Sequence, residues 1–124
     1  MSNLSDSITL KSLSVHARHG YYDEEREKGN RFEIDLTATG KFRSSSAAND
    51  LTKTFDYEKA EQTVLEVING RSEKLIETLC QKIGDKLFND FTHIDSLSVT
   101  VRKLNPPIKS PAAFAEITMR WNRQ

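Results

Sequence analysis

The sequence predicts an α+β fold, a four-stranded antiparallel sheet with two helices on one face, in the order strand-strand-helix-helix-strand-strand. Three observations carry this. Phe32, Ile34, Leu36 and Ala38 alternate with Glu33, Asp35 and Thr37, the period of a strand with one face buried. The period lengthens to three and four at Tyr57, Ala60, Val64, Val67 and Ile68, and again at Leu75, Ile76, Leu79, Cys80, Ile83, Leu87 and Phe91, as in amphipathic helices. It returns to two at Leu97, Val99 and Val101, and at Ala113, Ala115, Ile117, Met119 and Trp121.

Each element has its own signals. Ile8 and Leu10 alternate in one phase, and Leu13, Val15 and Ala17 in the other. The flip near Lys11-Ser12 predicts a bulge or an edge irregularity in the first strand. A charged loop from His19 to Gly29 follows, and the first two strands are expected to pair as an antiparallel hairpin. Residues 44–53, with serines, alanines and an Asn-Asp pair, read as a connection. Asp56 is placed to cap the first helix, and Asn69-Gly70 to end it, because both tolerate left-handed geometry. Ser72 is placed to cap the second, with Glu73 in its first turn. Asn105-Pro106-Pro107 must break the third strand, since two prolines remove donors and fix the backbone. Unpaired sheet edges invite another subunit, so an oligomer is expected.

With 124 residues the chain reads as one domain, 1–124, large enough to bury a core without staples. Lys+Arg and Asp+Glu both number 18, so a chain of zero formal charge has no general attraction to nucleic acid or to an anionic membrane. Cys80 is the only cysteine, which excludes an intrachain disulfide and a cysteine-rich metal site. In its apolar helical setting it reads as a buried thiol. No segment is apolar for the length of a membrane span, and the polar start reads as cytoplasmic. His16 and His19 would need a third ligand to hold a metal, and no motif supplies one, so no metal is expected.

Lys103 continues the phase of Leu97, Val99 and Val101, so its side chain leaves the strand on the apolar face while Arg102 points away. A lysine at a core edge beside a rigid proline turn is partly desolvated, which favours its neutral form and suits acid–base work. The other reading is a strand-end lysine that snorkels to water. Glu77 sits in the apolar run Leu75-Ile76-Glu77-Thr78-Leu79-Cys80, either as a partly buried carboxylate whose two oxygens match the paired N–H donors of a flat heterocycle or as a solvated flank. The charged run from His19 to Gly29 is either a solvated loop or a carrier of function, and Gly20 and Gly29 at its ends suit special backbone geometry. Tyr57 opens the first helix, as core or as a ring presented at a subunit edge.

Taken together and in order, these segments resemble the dihydroneopterin aldolase family from Ile8 to Arg120. They are His19-Gly20 with the acidic loop to Glu25 and Gly29, Asp56-Tyr57, Leu75-Ile76-Glu77, and Lys103 with Asn105-Pro106-Pro107-Ile108. The resemblance implies the tunnelling fold, with subunits joined edge to edge into a tetrameric barrel or a stacked octamer and active sites shared between neighbours. It implies a cofactor-free cleavage of a pterin substrate in folate biosynthesis. Lys103 resembles the family's catalytic lysine, Glu25 the loop glutamate that meets the substrate's hydroxylated chain, and Tyr57 the tyrosine lent by a neighbouring subunit. Glu77 resembles the pterin anchor, with Leu75, Ile76 and Phe55 lining the ring pocket. The ending Met119-Arg120-Trp121 is similar to that of the sister enzyme, dihydroneopterin triphosphate 2′-epimerase.

Overall fold

A computed structural model describes residues 5–123. In chain order they form β1 (Asp6–Ala17), α1 (Asp23–Lys28), β2 (Asn30–Gly40), α2 (Arg43–Ala48), a 3-10 turn (Leu51–Lys53), α3 (Tyr57–Ile68), α4 (Ile76–Asp90), β3 (Ser96–Leu104) and β4 (Phe114–Asn122). The four strands make one antiparallel sheet in the order β1-β2-β3-β4.

The alternating apolar residues of β2 and β3 lie in the middle of the sheet and are fully buried: Phe32, Ile34, Leu36 and Ala38 beside Leu97, Val99 and Val101. Ala60, Val64 and Ile68 of α3 and Leu79, Cys80, Ile83 and Leu87 of α4 close over them in a single core. Each large side chain removed from water there contributes on the order of 2 kcal/mol. The Cys80 thiol sits within this core, where burial pushes it up to about 11. In β1 the register shifts between Leu10 and Leu13, and Ser12 takes a φ of 56°. The extra residue brings Ile8 and Leu10 onto the same face as Leu13 and Val15, so the phase flip in sequence becomes a continuous apolar face in space.

The opposite face of the sheet is polar and is tied together by Arg102. Its guanidinium donates to Asp35 at 2.7 Å, Glu116 at 2.9 Å and Glu33 at 3.1 Å, joining β2, β3 and β4. The bulge is held from this side, because the Ser12 N–H donates to Asp35 at 2.7 Å.

The structure corrects some of the local expectations and bears out others. Residues 44–53 are not a bare connection but hold most of α2 and the 3-10 turn; Asp50 caps the turn by accepting from the Thr52 N–H. Asp56 does cap α3, accepting from Glu58 and Lys59. Asn69 ends that helix at φ −88°, without left-handed geometry. Ser72 does not cap the next helix: its hydroxyl donates to the Arg18 carbonyl, and α4 begins at Ile76 with no side-chain cap. Tyr57 belongs to the surface, with 59% of its area exposed.

Candidate active site

The site begins at the end of β1, where the chain turns through His19 and Gly20 into α1. Gly20 is required by close approach, since a Cβ there would stand 2.5 Å from the Cβ of Glu25. Tyr22 precedes α1, and its N–H donates to Glu25 Oε1 at 3.2 Å. Arg26 donates to the Gly20 and Tyr21 carbonyls at 2.7 and 2.6 Å, folding the turn onto the helix. Gly29 then ends the helix at φ 83°, a conformation open to glycine, and the chain enters β2.

These constraints turn Glu25 inward, so that one residue of a charge-rich run is 8% exposed. Its Oε2 accepts from Lys103 Nζ at 2.9 Å and from Asn30 Nδ2 at 2.9 Å. Lys103 reaches it because the register places Val15, Phe32, Lys103 and Ala115 in one row across the sheet. Its ammonium thus leaves the strand on the apolar face and meets a carboxylate there. Burial by itself would raise the Glu25 carboxyl. The hydrogen bond from Lys103, the Tyr22 N–H, the Lys103 charge and the Asn30 amide outweigh it and hold the group below its ordinary value. A cavity of about 430 Å³ opens beside this carboxylate, lined by Tyr22, Glu24, Glu25, Lys28, Gly29, Asn30 and Pro107.

Chemically, the arrangement is a nearly buried acid–base pair with a cavity open at the carboxylate. One partner is a proton donor and the other an ionised acceptor. Among the described residues, no three His, Cys, Asp or Glu side chains stand close enough to share a metal ion.

The family model of dihydroneopterin aldolase matches residues 8–120 of this chain. The chain belongs to the dihydroneopterin aldolase family. Dihydroneopterin aldolase of Streptococcus pyogenes is 34% identical over 103 residues, covering 83% of this chain and 87% of that protein. The Bacillus subtilis enzyme of the same name is 27% identical over 119 residues, covering 96% and 98%. In fold, the chain is similar to Escherichia coli dihydroneopterin aldolase solved in complex with neopterin, with a TM-score of 0.83 at 18% identity over 94% of this chain and 99% of that one.

Of the residues that the dihydroneopterin aldolase resemblance singles out, the chain brings together Glu25 and Lys103. Among the described residues, neither Tyr57 nor Glu77 has a side-chain hydrogen bond to that pair, and neither lines the cavity beside it. Glu77 is exposed in the first turn of α4, not partly buried. Leu75 is exposed beside it and Ile76 packs partly on the core. Phe55 differs from its expected place: its ring is fully buried, 4.8 Å from that of Phe91 by centroids, and fills the core. Sequence reasoning missed Asn30, for which an asparagine after a glycine gives no signal. It took His19 as a possible metal ligand and as part of the His19-Gly20 segment but gave its ring no structural role, whereas the ring is buried and bonded on both nitrogens.

The ending Met119-Arg120-Trp121 has a packing role. The Trp121 ring lies against Gly84 of α4 so closely that a Cβ there would overlap it, and its indole N–H donates to Asp85 at 2.9 Å.

Proposed function

We propose that this chain is a dihydroneopterin aldolase, a carbon–carbon lyase that splits 7,8-dihydroneopterin into 6-hydroxymethyl-7,8-dihydropterin and glycolaldehyde. The observation that carries the reading is the Lys103–Glu25 pair at 2.9 Å, beside a cavity, on the scaffold of this family.

The reaction needs little apparatus. A base removes the proton of the 2′-hydroxyl, the bond between C1′ and C2′ breaks, and glycolaldehyde leaves. The electron pair enters the C=N bond of the dihydropterin ring, giving an enamine, and a proton delivered to C1′ completes the product. Because the substrate supplies its own electron sink, the protein must move two protons and hold the ring. In this reading Lys103 runs the transfers through water and Glu25 orients the hydroxylated chain. Glu77 pairs with the ring's amino and N–H groups at the free N-terminus of α4, where Leu75 and Ile76 offer backbone groups.

Tyr57 enters from a neighbouring copy, stacking on the pterin and helping to reprotonate the intermediate. Support for sharing comes from its exposure, its absence from the lining of the cavity beside Glu25, and the outer strands β1 and β4, whose edges suit pairing between subunits. We read the chain 1–124 as one tunnelling-fold domain that forms a barrel of four, or a stacked eight, and works in the cytoplasm without a cofactor.

The test is incubation with 7,8-dihydroneopterin and no added metal, followed by separation of products. Equal amounts of 6-hydroxymethyl-7,8-dihydropterin and glycolaldehyde are expected. Dihydromonapterin alone would make the protein an epimerase, and no conversion by an intact oligomer would make it a silent pterin binder.

A further inference from the structure

We propose that His19 is a positioning residue that sets the Glu25–Lys103 pair in register with the start of α4, where Glu77 stands; the inference rests on the aldolase reading of that site. The side chain is 2% exposed, and both ring nitrogens are engaged. The Glu73 N–H donates to Nδ1 at 3.0 Å, so Nδ1 carries no proton. Nε2, 2.6 Å from the Ile68 carbonyl, is therefore the nitrogen that donates, and the ring is the neutral Nε2–H tautomer.

His19 joins three parts of the site, two through its ring and one through its backbone carbonyl. On one side it grips the approach to α4. The Gly20 N–H donates back to the Glu73 carbonyl at 2.9 Å, so residues 19 and 20 exchange two hydrogen bonds with Glu73. The Ser72 hydroxyl adds a third link, to the Arg18 carbonyl. Since no side chain caps α4, these bonds from residues 18–20, with the Glu73–Lys82 ion pair, fix how the helix begins. On the other side, the His19 carbonyl accepts from Asn30 Nδ2 at 2.8 Å, and that amide also donates to Glu25 Oε2. The ring edge meets Phe32, 6.0 Å between centroids, and Phe32 stands opposite Lys103 in the sheet.

The two ring bonds can be separated. His19→Asn keeps an acceptor near the Nδ1 position for the Glu73 N–H and gives up Ile68. His19→Gln keeps a donor for Ile68 and gives up Glu73. The experiment measures kcat and KM with 7,8-dihydroneopterin, and affinity for unsubstituted pterin, which reports on the ring pocket alone. His19→Gln should lose about 10- to 100-fold in kcat with pterin affinity and oligomeric state retained, and His19→Asn should keep most of the turnover. Equal losses in the two variants, or parallel loss of pterin affinity and turnover, would reduce His19 to core filling and overturn the proposal. The ¹⁵N spectrum of the His19 ring in the unmodified protein should show the proton on Nε2; a proton on Nδ1 overturns the clamp even if no variant folds. That spectrum needs no turnover, so an inactive wild type would sink the aldolase reading and still leave the clamp to be decided.

Discussion

Lys103 and Glu25 stand 78 residues apart in the chain and 2.9 Å apart in space, one on a central strand and the other on a short helix. Both are nearly buried, so each charge depends on the other to offset its lost water. Loop and sheet are thereby locked together at the point where we place the proton transfers.

Removing the lysine should therefore be felt in chemistry. Lys103→Ala is expected to lower kcat by about 10²- to 10⁴-fold, the range for loss of a positioned acid–base group. Steady-state kinetics on protein checked for its oligomeric state tests this, and near-normal turnover would remove Lys103 from its role.

Shared sites make a second prediction that depends on mixing. Lys103→Ala and Tyr57→Phe, each impaired alone, should recover activity when unfolded and refolded together. With random assortment about a quarter of the sites combine an intact lysine with an intact tyrosine from the neighbour. Activity that stays at the average of the two parents would mean that each chain completes its own site.

Acid should loosen the polar face of the sheet. Burial alone would raise the Asp35 carboxyl, but the Arg102 and Lys11 side chains and the Ser12 N–H outweigh it and hold the group below its ordinary value. A carboxyl lowered by folding adds stability that is complete above its unfolded value and is lost as pH falls through its folded one. The fold should thus weaken below about pH 4. Asp35→Asn should lose about 2 kcal/mol at neutral pH and decline less steeply on acidification. Urea unfolding at pH 7 and pH 3 measures both slopes; a variant that declines as steeply as the wild type would assign the acid sensitivity to other carboxylates, Glu25 among them.

Gly84→Ala sets two effects against each other. Alanine in a helix interior gains about 1 kcal/mol over glycine. The new Cβ would overlap the Trp121 ring, and overpacking of this kind costs about 1–3 kcal/mol. The clash should win, because Trp121 is held in place by Asp85, and the melting temperature should fall. A rise would mean that the indole moves aside freely.

The sheet and the two long helices were legible because period two and period 3.6 are local properties. The bulge was legible too, as a phase flip within one strand. What failed was local chemistry with two outlets. Ser72 can cap a helix or bond a neighbouring carbonyl, and it does the latter because the 18–20 segment lies against it. The serines and alanines of α2 read as a connection, although they fold into a short helix that buries none of its residues. Glu25 lay within a run of charges that gave no sign of which member turns inward; the choice is made by Gly20, Asn30 and a strand far along the chain. Glu77 could be read as a half-buried carboxylate or as a solvated flank, and spacing did not choose; in one chain it is exposed. Those readings depend on contacts that sequence spacing does not carry.

The bulge in β1 also bears on how this strand tolerates changes of length. Ser12 is an extra residue between two alternating frames, and its backbone absorbs the mismatch with a single left-handed conformation. Take it out, and Leu10, Lys11 and Leu13 would alternate without interruption, seating the same apolar side chains in the same places along a regular strand. A one-residue deletion there would keep the apolar face in register and remove the tether from the Ser12 N–H to Asp35 on the far side of the sheet.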